Sequence, residues 1–221
     1  MVSGKANSSS PGSVAGEDRR KTRRGERRAR PPLTEANLRD LALHYAARFA
    51  STGARLEAYL SRKIRERGLA EDAEGRTIDP DLTALVARLA ELGYVDDDAY
   101  ARMRARDLGA RGYGARRVEE SLRHAGVGDA LRAAHAPGEA ASRRAAVLMA
   151  QKRRLGPFGT RPDAETDPST QRKAHEKAVA AMLRAGHQYE HVKAILAATR
   201  VEEVGEWLAE AGDDEGTGGR W

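Results

Sequence analysis

RGYGARRVEESLRHAGV, residues 111–127, sets two glycines around a tyrosine, continues into a short charged helix and closes on a third glycine. Gly112 and Gly114 let the backbone turn where bulkier residues would clash. Val118, Leu122 and Ala125 then fall on one helical face, and Gly126 stops the helix. The pattern is not solitary. Val118, Leu122 and Gly126 stand at i, i+4 and i+8, and so do Leu60, Ile64 and Gly68. Val192 and Leu196 match the first two places, with Arg200 where the glycine would stand. A helix precedes each copy. Such degenerate self-similarity predicts tandem helical units stacked side by side.

Outward from this stretch the chain reads as helix throughout. Residues 1–32 are rich in serine, glycine and arginine and end in Pro31-Pro32, so they are expected to be disordered. Order should begin near Leu33. Thr34 can cap a helix carrying Leu38, Leu41, Tyr45 and Phe49, and Gly53 interrupts it. A second helix holds Leu56, Leu60 and Ile64. Asp81 caps a third, with Leu82, Leu85, Val86, Leu89 and Leu92 as its buried stripe and Gly93 as its stop. Asp96 to Asp98 offer the next cap, and Tyr100 and Met103 the next apolar face. A short helix around Ala130–Ala134 follows Gly126. Helices are expected near 139–155, 170–185 and 188–199, with Val147, Leu148 and Leu155 for packing in the first of these. GPFGTRPDAETDPS, from Gly156, reads as a loop, and 201–210 as a short amphipathic helix before a polar tail.

Composition agrees with helix and narrows the chemistry. A third of the 221 residues are charged and aromatics make up 5%. Absence of cysteine excludes disulfides, thiolate metal sites and cysteine nucleophiles. No apolar run approaches the ~18 residues that span a bilayer, and the N-terminus lacks the apolar block of a signal peptide. The expectation is a soluble cytoplasmic protein with no membrane contact. Charge is unevenly placed. Residues 1–32 carry 9 Lys/Arg against 3 Asp/Glu, residues 99–200 carry 20 against 10, and residues 201–221 carry 1 against 7. A basic body seeks phosphates or acidic protein surfaces, or simply solvates itself.

Catalytic patterns are missing. There is no GxxxxGK[ST] phosphate cradle, and Gly112-Tyr113-Gly114 follows no strand, so it is no dinucleotide fingerprint. His187 and His191 share a face at a spacing metals use, but lack an evident third ligand and read as surface histidines. Asp96, Asp97 and Asp98 read as a helix start complementing the dipole rather than a magnesium site. No cofactor is expected. What remains are cations: Arg102 and Arg106 on one face, Arg111 across the turn, Arg116 and Arg123 on the solvent side of the quoted helix, and the run Lys152, Arg153, Arg154. Arg116 can pair with Glu120 at i+4. These form a candidate partner-binding set. Tyr113 joins it as an interface anchor, with packing of the turn onto the preceding helix as the equal alternative.

VARLAELGYVDDDAYARMRARDLGARGYGARRVEESLRHAGV, ending at Val127, closely resembles the core of the bacterial RecX regulatory family. The matching places are Gly93, Tyr94, Asp97, Asp98, Tyr100, Arg111, Gly112, Tyr113, Gly114, Val118, Leu122 and Gly126. KRRLGPFG at 152–159 and LRAGHQYEHVKAIL at 183–196 resemble the family's third unit, which here lacks a final glycine. The resemblance covers about residues 33–200 and is strongest over 82–127. It implies an all-α fold of three tandem three-helix repeats, 33–95, 96–136 and 137–200, in an elongated, curved helical array. A basic tail (1–32) and an acidic end (201–221) flank the repeats. It also implies a non-enzymatic, monomeric regulator that lies in the groove of the RecA nucleoprotein filament. Such a regulator depresses ATPase, strand-exchange and co-protease activities in recombinational repair and the SOS response. Direct contact with single- or double-stranded DNA stays open, and a basic helical-repeat protein that binds nucleic acid itself is the alternative reading.

Overall fold

The computed structural model describes residues 30–72, 74–77, 79–159 and 167–217, with side chains described as far as residue 212. Ten α-helices and one 3₁₀ turn account for most of these residues, and no strand occurs among them. The expectation of disorder falls mainly on residues 1–29, outside the described residues.

The first three helices start where their caps predict. α1 (Glu35–Arg48) opens on a capping box, in which the Asn37 N–H donates to the Thr34 hydroxyl and the Thr34 N–H to the Asn37 side chain. α2 (Gly53–Arg67) is capped by Thr52, so Gly53 begins this helix rather than merely breaking the one before. α3 (Leu82–Glu91) is capped by Asp81, which accepts from Ala84 N–H at 2.8 Å. Leu33, Leu38, Leu56, Leu60, Val86 and Leu89 form their shared core. Phe49 and Leu92, both expected to be buried, stand 55% and 53% exposed. Each is a C-cap residue, where the chain leaves the helix and the apolar face ends.

A second cluster joins α4 (Asp97–Arg111), α5 (Ala115–His124) and α6 (Asp129–Ala134) around Tyr100, Leu108, Val118, Leu122 and Val127. Met103 is 47% exposed, because Tyr100, Ala101 and Leu108 set the inward face of α4. The third cluster holds α7 (Glu139–Arg153), the 3₁₀ turn Gly156–Phe158, α8 (Pro168–Arg184), α9 (Tyr189–Ala197) and α10 (Val201–Thr217). α7 buries alanines 140, 145, 146 and 150 with Met149. Small side chains let neighbouring helices come close, so α7 packs on α4, α9 and α10 together. The third helix group departs from the sequence expectation in two places. α10 is a long helix reaching Thr217 and docked through Val204, Trp207 and Ala211, not a short one before a tail. The third unit does keep its glycine: Gly186, just after α8, takes the place assigned to Arg200.

The glycines explain how the clusters join. At the first joint the Thr52 hydroxyl donates to the Ala125 carbonyl, and a Cβ on Gly126 would lie 2.3 Å from that of Ala54. At the second, Gly114 N–H donates to the Ala185 carbonyl (2.9 Å) and Arg116 N–H to the Gly186 carbonyl (3.2 Å). A Cβ on Gly186 would lie 2.5 Å from the Arg117 nitrogen. Gly126 and Gly186 have φ of +76° and +92°, a left-handed turn that glycine adopts without strain. The same turn thus receives the start of the preceding group's middle helix, twice. Residues 111–127 supply one half of each joint.

Candidate partner-binding face

The Asp96 cap fixes where α4 begins and therefore which way its arginines point. Its neighbours are also engaged. Asp97 accepts from Gly53 N–H at 2.9 Å, and Asp98 accepts from His135 Nε2 at 2.6 Å and from Arg102. The His135 bond, ahead of Arg102, holds the Asp98 carboxyl below its usual range. The three consecutive carboxylates are a cap, a tie to the first joint and a tie to α6.

Gly112 closes α4 in a left-handed turn, with the Tyr113 N–H donating back to the Leu108 carbonyl (3.0 Å). Gly114 is pinned against Gly186, so the tyrosine between them is held by backbone on both sides. Its side chain is 38% exposed and lines a groove between α4 and α7.

The cations divide into groups. Arg102 pairs with Asp98, Arg111 with Asp107 (3.0 Å) and Arg123 with Glu119 (3.5 Å), each on its own helix. Exposed pairs of this kind are worth roughly 0.3–0.5 kcal/mol, so a partner's acid displaces them cheaply. Lys152 Nζ lies 3.4 Å from the Arg111 carbonyl, which places the end of α7 beside the end of α4. Arg153 and Arg154 continue from it, exposed and without an ion pair among the described residues. Arg106 is exposed, also without an ion pair among the described residues, and lines the same groove as Tyr113. Arg106 and Tyr113 therefore belong to one side of the α4–α7 contact, while Lys152 meets the Arg111 carbonyl at its end.

Arg116 and Arg123 are placed differently from the rest. Arg116 donates to the Leu183 carbonyl across the second joint (3.0 Å), while Glu120 takes Arg117 (2.7 Å) instead of the expected Arg116. Arg123 stands about 10 Å further along α5 by helical rise, next to the first joint. Arg144 was missed by sequence reading. It comes from α7, far along the chain from Arg106, yet lines the same groove.

His187 and His191 are core residues, each 4% exposed, not surface ones. His187 Nε2–H donates to the Gly112 carbonyl (3.1 Å), and burial pushes its pKa below the usual histidine value. His191 bonds Glu139 and packs edge-on to Trp207. Among the described residues no three His, Asp or Glu side chains converge as a metal site would require. No described helix is long and apolar enough to cross a membrane.

Known proteins with the same features give the family. No family model matches the chain. Regulatory protein RecX of Myxococcus xanthus (strain DK1622) is 33% identical over 180 residues, 80% of this chain and 92% of that protein. Regulatory protein RecX of Mycobacterium sp. (strain JLS) is 37% identical over 100 residues, 44% of this chain and 50% of that protein. The crystal structure of RecX from Lactobacillus salivarius superposes with a TM-score of 0.54 at 16% identity, covering 74% of this chain and 95% of that one. The fold is the same, and the extent of the first match settles the rest: this chain belongs to the RecX family of regulatory proteins.

Proposed function

We propose that this chain is a non-enzymatic regulator of the RecA recombinase. It docks on the RecA nucleoprotein filament through the side bearing Arg102, Arg106, Arg111 and Tyr113, with Arg116, Arg123 and the Lys152–Arg154 run extending that side. It depresses ATPase, strand-exchange and co-protease activity, and so tunes recombinational repair and the SOS response. The observation that carries this reading is the α4–α7 contact. Two helix groups bring Arg106, Arg144 and the partly exposed Tyr113 to one groove. Family membership supports the same reading.

The physics needs no bond-making. A stack of helices presents much surface per residue, which suits a long polymer. Basic side chains speed encounter with an acidic target and fix its register. A binder that prefers one filament conformation shifts that equilibrium by its differential affinity, which changes ATP turnover without contact with ATP. In this reading the protein acts as a cytoplasmic monomer, without a cofactor, as a curved array of three repeats.

The test is RecA's DNA-dependent ATPase, titrated with this protein on growing and on pre-saturated filaments. Inhibition well below one protein per RecA is expected. Charge reversal at Arg111 and Lys152 should weaken it about tenfold, equivalent to ~1.4 kcal/mol, with helical content unchanged. Inhibition that begins only when the protein is sufficient to coat the DNA would assign nucleic acid as the direct target. The excess of 20 Lys/Arg over 10 Asp/Glu in residues 99–200 favours that second reading.

A further inference from the structure

The groove between α4 and α7 has a composition unlike the surface around it. Its volume is about 430 Å³, within the range of sites that take a small ligand or a large side chain. Ala105, Gly109 and Ala110 from α4 and Ala141 and Ala145 from α7 make its walls small and apolar. It is not a gap left by loose packing. A Cβ on Gly112 would lie 3.1 Å from the Met149 nitrogen, so the two helices are already in backbone contact beside it.

No carboxylate lines this groove, while Arg106 and Arg144 do. Neither arginine makes an ion pair among the described residues, although their neighbours do: Arg104 holds Asp107 (3.2 Å) and Arg143 holds Glu139 (2.6 Å). The larger groove on the first helix group, about 640 Å³, is the opposite case. Glu35, Asp79 and Asp81 line it, and its arginines are occupied, Arg39 by Glu35 (3.2 Å) and Arg88 by Glu91 (2.9 Å). One groove is neutralised from within. The other keeps two free guanidinium groups beside an apolar slot.

We propose that the α4–α7 groove is a receptor for one apolar side chain carried on an acidic segment of the partner protein. Arg106 and Arg144 take the flanking carboxylates. This rests on reading the chain as a protein-binding regulator and specifies what its partner must present. Guanidinium and carboxylate match in fork geometry, and an alanine-walled slot rewards an aliphatic or aromatic anchor with burial. A nucleic-acid strand would ask for successive stacking aromatics along a cationic track. This lining offers only Tyr113 and the imidazole of His135, which is held by Asp98, and no such track.

The probe is a set of labelled twelve-residue peptides of Asp and Glu around a central Leu, Phe or Ala, followed by fluorescence anisotropy and amide chemical shifts of the whole protein. The Leu and Phe peptides should bind saturably and about tenfold more tightly than the Ala peptide. Ala110→Phe, which fills the slot from an exposed position, should abolish that preference. Arg106→Glu with Arg144→Glu should abolish binding, and Arg65→Glu on α2 should leave it intact. Circular dichroism checks that each variant is folded. Equal affinity for all three peptides, or no saturable binding at millimolar concentration, overturns the proposal. So does an oligo(dT) that binds more tightly than any peptide and survives Ala110→Phe. RecA inhibition by the wild-type protein is measured alongside. If it fails while peptide selectivity holds, the proposed partner is wrong and the groove stands. If inhibition holds while selectivity is absent, the groove is wrong and the RecA reading stands.

Discussion

Gly114 has ordinary backbone angles, φ −79° and ψ 169°, which alanine also adopts without strain. The objection to a side chain there comes from the other helix group. A Cβ would lie 2.3 Å from the carbonyl carbon and oxygen of Gly186, and backbone cannot swing aside as a side-chain tip can. Gly114→Ala is therefore a clean probe of the second joint, and overpacking of this sort costs about 1–3 kcal/mol. Urea unfolding should show that loss. Gly109→Ala is the control: it lies within α4, and beyond the helix's own neighbouring backbone no atom comes within 4 Å of its Cβ position. It should instead gain about 0.5–1 kcal/mol. A loss at Gly109 equal to that at Gly114 would mean the cost is local to the chain and that the joint contributes nothing. The tyrosine between the glycines inherits its position from the same contact, so loosening the joint also loosens the groove wall.

At the scale of elements, α10 is the least expected part of the fold. Its carboxylates read as a tail, yet α7 and α9 hold it through apolar packing, His191 against Trp207, and one arginine of α7. The Arg143 guanidinium lies 4.6 Å from the centre of the Trp207 ring, donates to the Trp207 carbonyl and pairs with Glu139. The Arg143 bond, with His191 behind it, holds the Glu139 carboxyl below its usual range. Arg143→Met keeps the aliphatic stem and removes the rest. A loss of about 2 kcal/mol is expected from the cation–π contact and charged hydrogen bonds together. A red shift of tryptophan emission should report the release of Trp207, and unchanged emission would show that apolar packing alone holds the helix. The contrast with the other elements shows what sequence can carry. Helix starts were legible because a capping side chain acts on backbone three residues away: Thr34, Asp81 and Asp96 are examples. Stops at Gly93 and Gly126 were legible for the same local reason. Periodicity misjudged Leu92 and Met103, since it records a repeating face without saying how far a neighbour covers it. The third-unit glycine was sought one helix too late because Val192 and Leu196 imitate the spacing that Met182 and Gly186 actually occupy. Arg144 left no local signal. Its relation to Arg106 exists only once α4 and α7 are side by side.

For the molecule as a whole, the two joints and the turn at Gly68 follow one rule. A left-handed glycine after the middle helix of a group exposes its own carbonyl or that of the residue before it, and something covers it: at Gly126 the Thr52 hydroxyl covers the Ala125 carbonyl. At Gly186 the cover is the Arg116 N–H. At Gly68 no helix group precedes among the described residues, and residues 31–33 supply the cover. The Leu33 N–H donates to the Gly68 carbonyl (2.9 Å), the Ala70 N–H returns to the Leu33 carbonyl (2.9 Å), and Arg67 reaches the Pro31 carbonyl. Leu33 itself is 1% exposed within the first core. Residues 31–33 thus cap the first described helix group, doing there what a neighbouring unit does at each joint. If stability is the sum of group terms and nearest-neighbour joints, damage at this cap stays near it. Leu33→Ala should cost about 2–4 kcal/mol through the cavity it leaves. Hydrogen exchange should then quicken in α1, α2 and α3, while amides of α7, α8 and α9 keep their protection. The opposite result, uniform acceleration from α1 to α9, would mean that the joints couple all three groups into one cooperative body. The array could not then bend group by group to follow a helical polymer, and the docking mode proposed here would need a rigid target of matching shape.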